Sequence, residues 1–312
     1  MSGSTPPLRP DVGDRGLATS DPSVVADLLD AAWSAAADLA VTLPLDLPAR
    51  PPDRTVRDVL VPLGSWEEHD RFVSLVRDVR TDRVHEVDDA QARSALVVAA
   101  HHDADNAEVA GAIRRAGATA VGFLRSPAAG TLGRERTESA VGPLPLTCVL
   151  GAATYDLAVG LLDVAPPGDV PLPLADAALG ALVDVTAGLA ARQGLDVTFL
   201  VRTPNTAWAA VTSAEGDWTT LRLAGSGLPD TGWPTVEGLE ADILDAASGR
   251  RAPVPMLLSR RLRLRDVPGL LAVLPALDAV GSLPGGAALQ AAARTVARTG
   301  QALSRFGALA GR

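Results

Sequence analysis

Apolar residues recur at three- and four-residue spacing from Asp21 to Leu162, and at every second position in the runs between Val197 and Leu223. A chain that passes from the helical period to the strand period must bury two kinds of face, a helical stripe and a pleated sheet. At 312 residues it also exceeds the size at which one core stops growing, so two domains are expected. The boundaries read as a polar tail over 1–19, a helical domain over 20–164, a Pro-rich linker APPGDVPLPL over 165–174, and an α+β domain with a C-terminal helix over 175–312.

In the helical half, Asp21-Pro22 supplies a cap followed by proline at the first helical position. Val25, Leu28, Leu29, Ala32, Trp33, Ala36 and Leu39 then form one apolar stripe. Thr55 with Asp58 predicts a second helix that kinks at Pro62 and runs on through Trp66 towards Phe72 and Leu75. Residues 77–93, dense in Asp and Arg, read as a solvated connection or a frayed helix. A third helix is expected from Asp105 or Asn106 through Leu124, and a fourth from about Leu146 to Leu162 after a Gly/Pro-rich stretch, 126–145. Four helices with long connections suggest an antiparallel bundle.

Beyond the linker one helix is expected to about Gln193. Strands follow around Val197–Val201, Trp208–Thr212 and Trp218–Leu223, the last two joined by a turn at AEGD (214–217). Thr235–Gly238, a helix about Asp242–Ala247 ending at Gly249, and the strict Arg/Leu alternation Arg261–Arg265 complete an antiparallel sheet with helices on one face. Two further helical segments are expected at about 268–279 and 286–309.

Composition narrows the chemistry. The 28 basic residues are all Arg, which excludes Schiff-base and P-loop lysines, and a net charge of −9 disfavours nucleic acid or an anionic membrane as the main partner. One cysteine, Cys148, excludes an intramolecular disulfide and Cys-rich metal sites. The start, MSGSTPPLRPDVGDRG, lacks the apolar core of a signal peptide, and no apolar run approaches the ~18 residues of a membrane span. A soluble cytoplasmic protein is the expectation. Patterns for nucleotide cradles, nucleophile elbows and H-E-x-x-H zinc sites are absent.

Among the four histidines, His101-His102-Asp103 with Asp105 could chelate an ion. Adjacent helical residues point about 100° apart, however, and a solvated turn is the simpler reading. His69 lies two turns beyond Pro62 within an acidic segment, and His85 sits between charged neighbours. Cys148, at the start of the fourth helix, has no adjacent His and reads as a buried hydrophobe rather than a nucleophile. Arg260, Arg261, Arg263 and Arg265 form a basic strip that reads as protection of an edge strand or, alternatively, as a surface for an anionic partner. The final segment carries Leu289, Ala293, Val296, Leu303 and Phe306 along one face and reads as docking on its own sheet or on a second subunit, compatible with a homodimer.

RTVRDVLVPLGSW (54–66) resembles the second-helix signature of the mycothiol-dependent maleylpyruvate isomerase family, a branch of the DinB-like bundles, and LGAATYDLAVGL (150–161) resembles its fourth-helix motif. WTTLRL (218–223), VEGLEADILDAASGRR (236–251) and SRRLRLRDVPGLLAVLPAL (259–277) resemble the sterol-carrier-like domain fused to such bundles in actinobacteria. The resemblance implies a four-helix DinB-like bundle and a zinc-type ion held by two His and one Glu. The matching positions are Pro62, Val149 and Ala153, none of which carries a lone pair for a metal.

Without that ion, thiol-assisted isomerisation loses its Lewis acid. The resemblance also implies an anion-binding Arg, which maps onto Arg250. The reading is therefore a metal-free member of the family that binds a small organic ligand or a protein partner in the cleft between bundle and sheet. Arg250, Asp156, Tyr155, Trp66 and His69 are the ligand-binding candidates, with no assigned catalytic residue, no metal and no cofactor. The alternative is an active mycothiol-dependent isomerase or thiol transferase that uses mycothiol and a divalent metal on displaced ligands such as His69, His101 or His102. A third version keeps the scaffold for pathway-specific acid–base chemistry by Asp156 or Arg250.

Overall fold

The computed structural model describes residues 9–68, 70, 72–81, 90–223, 232–273 and 275–276. The chain divides into two compact units: Leu17–Val185, and a second that joins the segment up to Gly16 to the chain from Thr186 onward. His69, His85 and the expected helix over 286–309 lie outside the described residues.

The helical unit contains α1 (Pro22–Ala40), α2 (Val56–Leu60), α3 (Val73–Arg80), α4 (Ala90–Ala100), α5 (Asn106–Leu124), α6 (Ala129–Leu132) and α7 (Leu146–Val164), with a small ribbon pairing β1 (Arg136–Thr137) and β2 (Leu144–Pro145). A further helix, α8 (Leu172–Arg192), begins in this unit, and the division between the units falls within it. The Pro-rich stretch before it forms a 3-10 turn, Pro167–Asp169.

Local signals set the helix starts. The Asp21 carboxylate accepts from the Ser23 N–H at 2.9 Å with Pro22 in the first turn. Thr55/Asp58 and Asp105/Glu108 each close a reciprocal capping box. The core seam runs between α1 and α5, where Trp33 lies over Gly117 so closely that a Cβ there would stand 2.5 Å from the Trp33 Cβ. The Trp33 ring meets Phe72 edge-on, with centroids 5.9 Å apart. At one end of the seam the Asn106 Nδ2 donates to the Ala40 and Leu43 carbonyls at 2.9 and 2.7 Å, satisfying acceptors that the α1 terminus leaves open.

Several expectations are corrected here. The long kinked second helix does not form: α2 ends at Leu60, Val61–Leu63 tighten into a 3-10 turn, and Gly64 is extended. Pro62 lacks the N–H a continuing helix requires, and tertiary packing presses Gly64 onto Ala112, where a Cβ would come within 2.5 Å of the Ala112 Cβ. The stretch 77–93, read as a solvated connection or a frayed helix, is helical at its two ends, where α3 reaches Arg80 and α4 starts at Ala90. Within 126–145 lie α6 and the β1–β2 ribbon, elements too short to leave a period. Within the expected loose tail, 1–19, a 3-10 turn forms at Gly16–Thr19 and residues from Asp11 on are tied down by side chains. Among the described residues two helices, α7 and α8, are long and apolar enough by length and composition to cross a membrane, though Asp156 and Asp163 interrupt the one and Asp176 and Asp184 the other. Most of each is buried inside the protein, 72% and 83%.

The second unit is built on β3 (Thr198–Arg202), β4 (Ala207–Thr212), β5 (Trp218–Leu223), β6 (Thr235–Gly238) and β7 (Leu262–Arg265), in the order β5-β4-β3-β6-β7. The sheet is mixed rather than antiparallel, because β3 and β6 run parallel, Leu200 facing Thr235 and Arg202 facing Glu237. A hairpin return from β5 would have placed β6 beside β5. Instead β6 lies on the side of β3 away from β4, and a parallel neighbour requires a crossover connection. Every residue of the inner strand β4 is buried.

Around the sheet are α9 (Glu240–Ala247), α10 (Pro253–Leu258) and α11 (Val267–Leu271). Gly249, with φ +70°, turns the chain out of α9. Of the expected helix over 268–279, the described residues show the short α11 and, beyond it, helical backbone at Pro275 and Ala276. Along β7 the outward arginines are drawn into ion pairs: Arg261 forks onto Asp242, and Arg265 reaches Glu237 at 3.1 Å.

Beside β5 the arm Asp11–Arg15 is held by named groups. Trp218 N–H donates to the Asp14 carbonyl at 3.2 Å, Thr219 Oγ1 to the Asp14 carboxylate at 2.7 Å, and Gly13 N–H to Asp217 at 3.2 Å. Arg15 pairs with Asp217 and lies 5.7 Å from the Trp218 ring centroid.

Candidate functional site

The positions at which the resemblance requires metal ligands sit on the 3-10 turn and on α7. Pro62 and Val149 are half-buried and Ala153 is buried. Beside Pro62, Leu63 is seated on Gly160 of α7, where a Cβ would meet the Leu63 Cδ1 at 2.6 Å. Hydrocarbon at all three positions offers no electron pair to a cation, so a family-type ion does not fit these residues. Among the described residues no group of three or more His, Cys, Asp or Glu is arranged to hold a metal.

Immediately after the turn the chain builds a polar-aromatic cluster. Ser65 is buried, and its N–H donates to the Ala112 carbonyl of α5 at 2.9 Å. Trp66 is buried as well, and its indole N–H donates to the Val61 carbonyl at 2.9 Å, so the ring folds back over the turn. Its plane lies nearly parallel to the imidazole of His101, with centroids 3.9 Å apart and 17° between planes. The Arg115 guanidinium is 5.9 Å from the indole centroid, and its Nε donates to the Ser65 carbonyl at 3.1 Å.

Three elements therefore converge: the segment after the turn, the turn directly following α4 that carries His101, and α5 that carries Arg115. Sequence reasoning picked out Trp66 and His101 separately and missed Arg115. Arg115 was one exposed arginine on a helix, with no local pattern to distinguish it.

The remaining candidates are dispersed. Tyr155 is half-buried and Asp156 exposed on α7. His102 is exposed, its Nδ1 3.2 Å from the Ala99 carbonyl. Arg250 is exposed just past α9 in the sheet unit, where the neighbouring Arg251 pairs with the buried Asp245 at 2.8 Å. His69 lies outside the described residues.

Cys148 is 1% exposed and sits in the first turn of α7. Burial first, then the charge of the nearby Asp184 carboxylate and the hydrogen bond the thiol gives it, push its pKa well above the ordinary value. The Ala18 N–H opposes this. The helix N-terminus does not activate this thiol, because desolvation dominates.

No protein-family model and no curated protein matches the chain. Among solved structures, it is similar to one described as a mycothiol-dependent maleylpyruvate isomerase, with 13% identity and a TM-score of 0.42, over 75% of this chain and 90% of that one. It is also similar to a histidine-to-alanine mutant of such an isomerase, with 13% identity, a TM-score of 0.39 and the same coverage.

Proposed function

We propose that this chain is a metal-free binding protein on a maleylpyruvate isomerase-like scaffold, taking a small organic anion at the Trp66–His101–Arg115 cluster. In this reading α1, α2, α5 and α7 are the four helices of a DinB-like arrangement, and the sheet unit corresponds to a sterol-carrier-like domain. The observation that carries it is the chemistry of Pro62, Val149 and Ala153, with Leu63 closed onto Gly160 beside them. A thiol-activating ion has no ligands there, whereas one turn away a buried indole is flanked by two groups able to donate to an anion.

Arg115 spends its Nε on the Ser65 carbonyl, which orients the guanidinium. Its two terminal nitrogens can then meet a carboxylate in fork geometry. The Trp66 ring supplies an apolar surface for the ligand's carbon skeleton.

The test combines metal analysis with titration. Purified protein should hold well under one equivalent of zinc or nickel, and should give no turnover of maleylpyruvate-like electrophiles with mycothiol-type thiols at any metal loading. Small mono- and dicarboxylates should change the tryptophan emission saturably, and Arg115→Ala should weaken that response about tenfold or more. Stoichiometric tightly bound metal, removed by a chelator with loss of activity, overturns the reading in favour of the displaced-ligand isomerase.

A further inference from the structure

The sheet unit carries a group of charges that shares no residue with the Trp66 cluster. The registers of its strands set Leu223, Ala207, Arg202, Glu237 and Arg263 side by side in one row, from β5 through β4, β3 and β6 to β7. Directly paired residues project to the same face, so this face is apolar at its β5 end and charged at its β6–β7 end. Arg265, two positions along β7, belongs to the same face and pairs with the Glu237 carboxylate at 3.1 Å.

Arg202 is held less well than its burial requires. Its side chain is 25% exposed, and its Nη1 stands 3.6 Å from Glu237 Oε1, beyond hydrogen-bond reach. Its Nε is buried and has no hydrogen-bond partner among the described residues. Native structures satisfy nearly all such donors, so an unmade one points to an acceptor supplied from outside the chain. Arg263 is exposed, faces Glu237 across the β6–β7 ladder and makes no ion pair among the described residues. Three guanidinium groups thus surround one carboxylate, and positive charge is in surplus. Beside them Leu200, Ala207 and Ala209 form a buried apolar cluster, with half-buried Leu223 and Trp233 packed against it. Leu223 lies two strands from Arg202, about 10 Å, with only the small Ala207 between them.

We propose that this face of the sheet binds a phosphate monoester, its phosphate held by Arg202, Arg263 and Arg265 and its carbon skeleton reaching along the row towards Leu223. The surplus of charge matches a dianion. Guanidinium groups arriving from β3 and β7 suit a tetrahedral phosphate, whose oxygens point in several directions, better than a planar carboxylate. Glu237 gathers Arg202 and Arg265 when no ligand is bound and competes with the phosphate when one arrives. The site is independent of any ligand at Trp66.

The test is calorimetric titration of the full chain with hexyl phosphate and with inorganic phosphate at constant ionic strength. One saturable site for hexyl phosphate is expected, with inorganic phosphate about tenfold weaker. Arg202→Gln should weaken hexyl phosphate about tenfold or more, and so should Arg263→Ala, whose exposed side chain has no part in holding the fold. Glu237→Gln removes the competing carboxylate and should tighten binding severalfold, a sign that a purely structural ion pair does not give. Arg115→Ala should leave the affinity unchanged, which separates this site from the one at Trp66. The proposal is overturned by the absence of saturable binding up to about 10 mM, by equal affinity for the two phosphates, by unchanged affinity in Arg263→Ala and Glu237→Gln, or by loss of binding in Arg115→Ala.

Discussion

The Cys148 thiol on α7 donates a hydrogen bond to the Asp184 carboxylate on α8, and both residues are 1% exposed. The folded protein therefore holds this thiol protonated well above its ordinary value of 9.0. A raised folded-state pKa contributes stability that is complete below the unfolded value and is lost as pH rises towards the folded one. Above pH 9.0 the unfolded chain releases the proton and the folded chain keeps it, so unfolding free energy should fall by up to about 1.4 kcal/mol per pH unit. Urea unfolding from pH 7 to 11 of the parent and of Cys148→Ala checks this. The difference between the two should be flat below pH 9 and sloping above it.

Gly117 and Gly122 lie on the same helix, and their substitution by alanine should have opposite effects. At Gly117 the new Cβ would meet the Trp33 Cβ at 2.5 Å, and overpacking should destabilise by about 1–3 kcal/mol. At Gly122 nothing lies within 4 Å, and the better helix propensity of alanine should stabilise by about 0.5–1 kcal/mol. Thermal melts of the two variants beside the parent read both signs.

Removing the Asn106 side chain leaves the Ala40 and Leu43 carbonyls without the amide that bridges them. Asn106→Ala should cost about 1–3 kcal/mol, the penalty of orphaned acceptors rather than of one ordinary hydrogen bond. Chemical denaturation at neutral pH measures it, with an unchanged m-value expected.

Asp217 holds the N-terminal arm through both Arg15 and the Gly13 N–H. Asp217→Ala should release the arm from β5. Amide hydrogen exchange at Trp218, whose N–H donates to the Asp14 carbonyl, should then accelerate at least tenfold. Amides inside the β3–β4 ladder should keep their protection.

Elements governed by neighbours in sequence were legible from sequence. α1, α5 and α7 begin where Asp21, Asp105 and Leu146 were expected to start them, and the β7 alternation gives a buried Leu262 between outward arginines. The errors cluster where distant residues decide. Whether Pro62 kinks a helix or ends it depends on Ala112 lying against Gly64, fifty positions downstream of the turn by approximate count. The direction of β6 depends on which sheet edge accepts it, and the same alternating residues suit either neighbour. At the candidate site, Trp66 and His101 stood out as rare residue types, but nothing local joined them to each other or to Arg115.

The sequence by itself determined the periods, the caps, the single cysteine, the absence of lysine, and hydrocarbon side chains at Pro62, Val149 and Ala153, because each is written in residue type and short spacing. Tertiary structure alone decided that Trp66 stacks on His101 beside Arg115, that β6 joins β3 in parallel, and that the Leu17 N–H meets the buried Asp184 carboxylate. Those contacts join residues tens to more than a hundred positions apart. Their partners are selected by the packing of whole elements, where burial outweighs any preference the local sequence expresses.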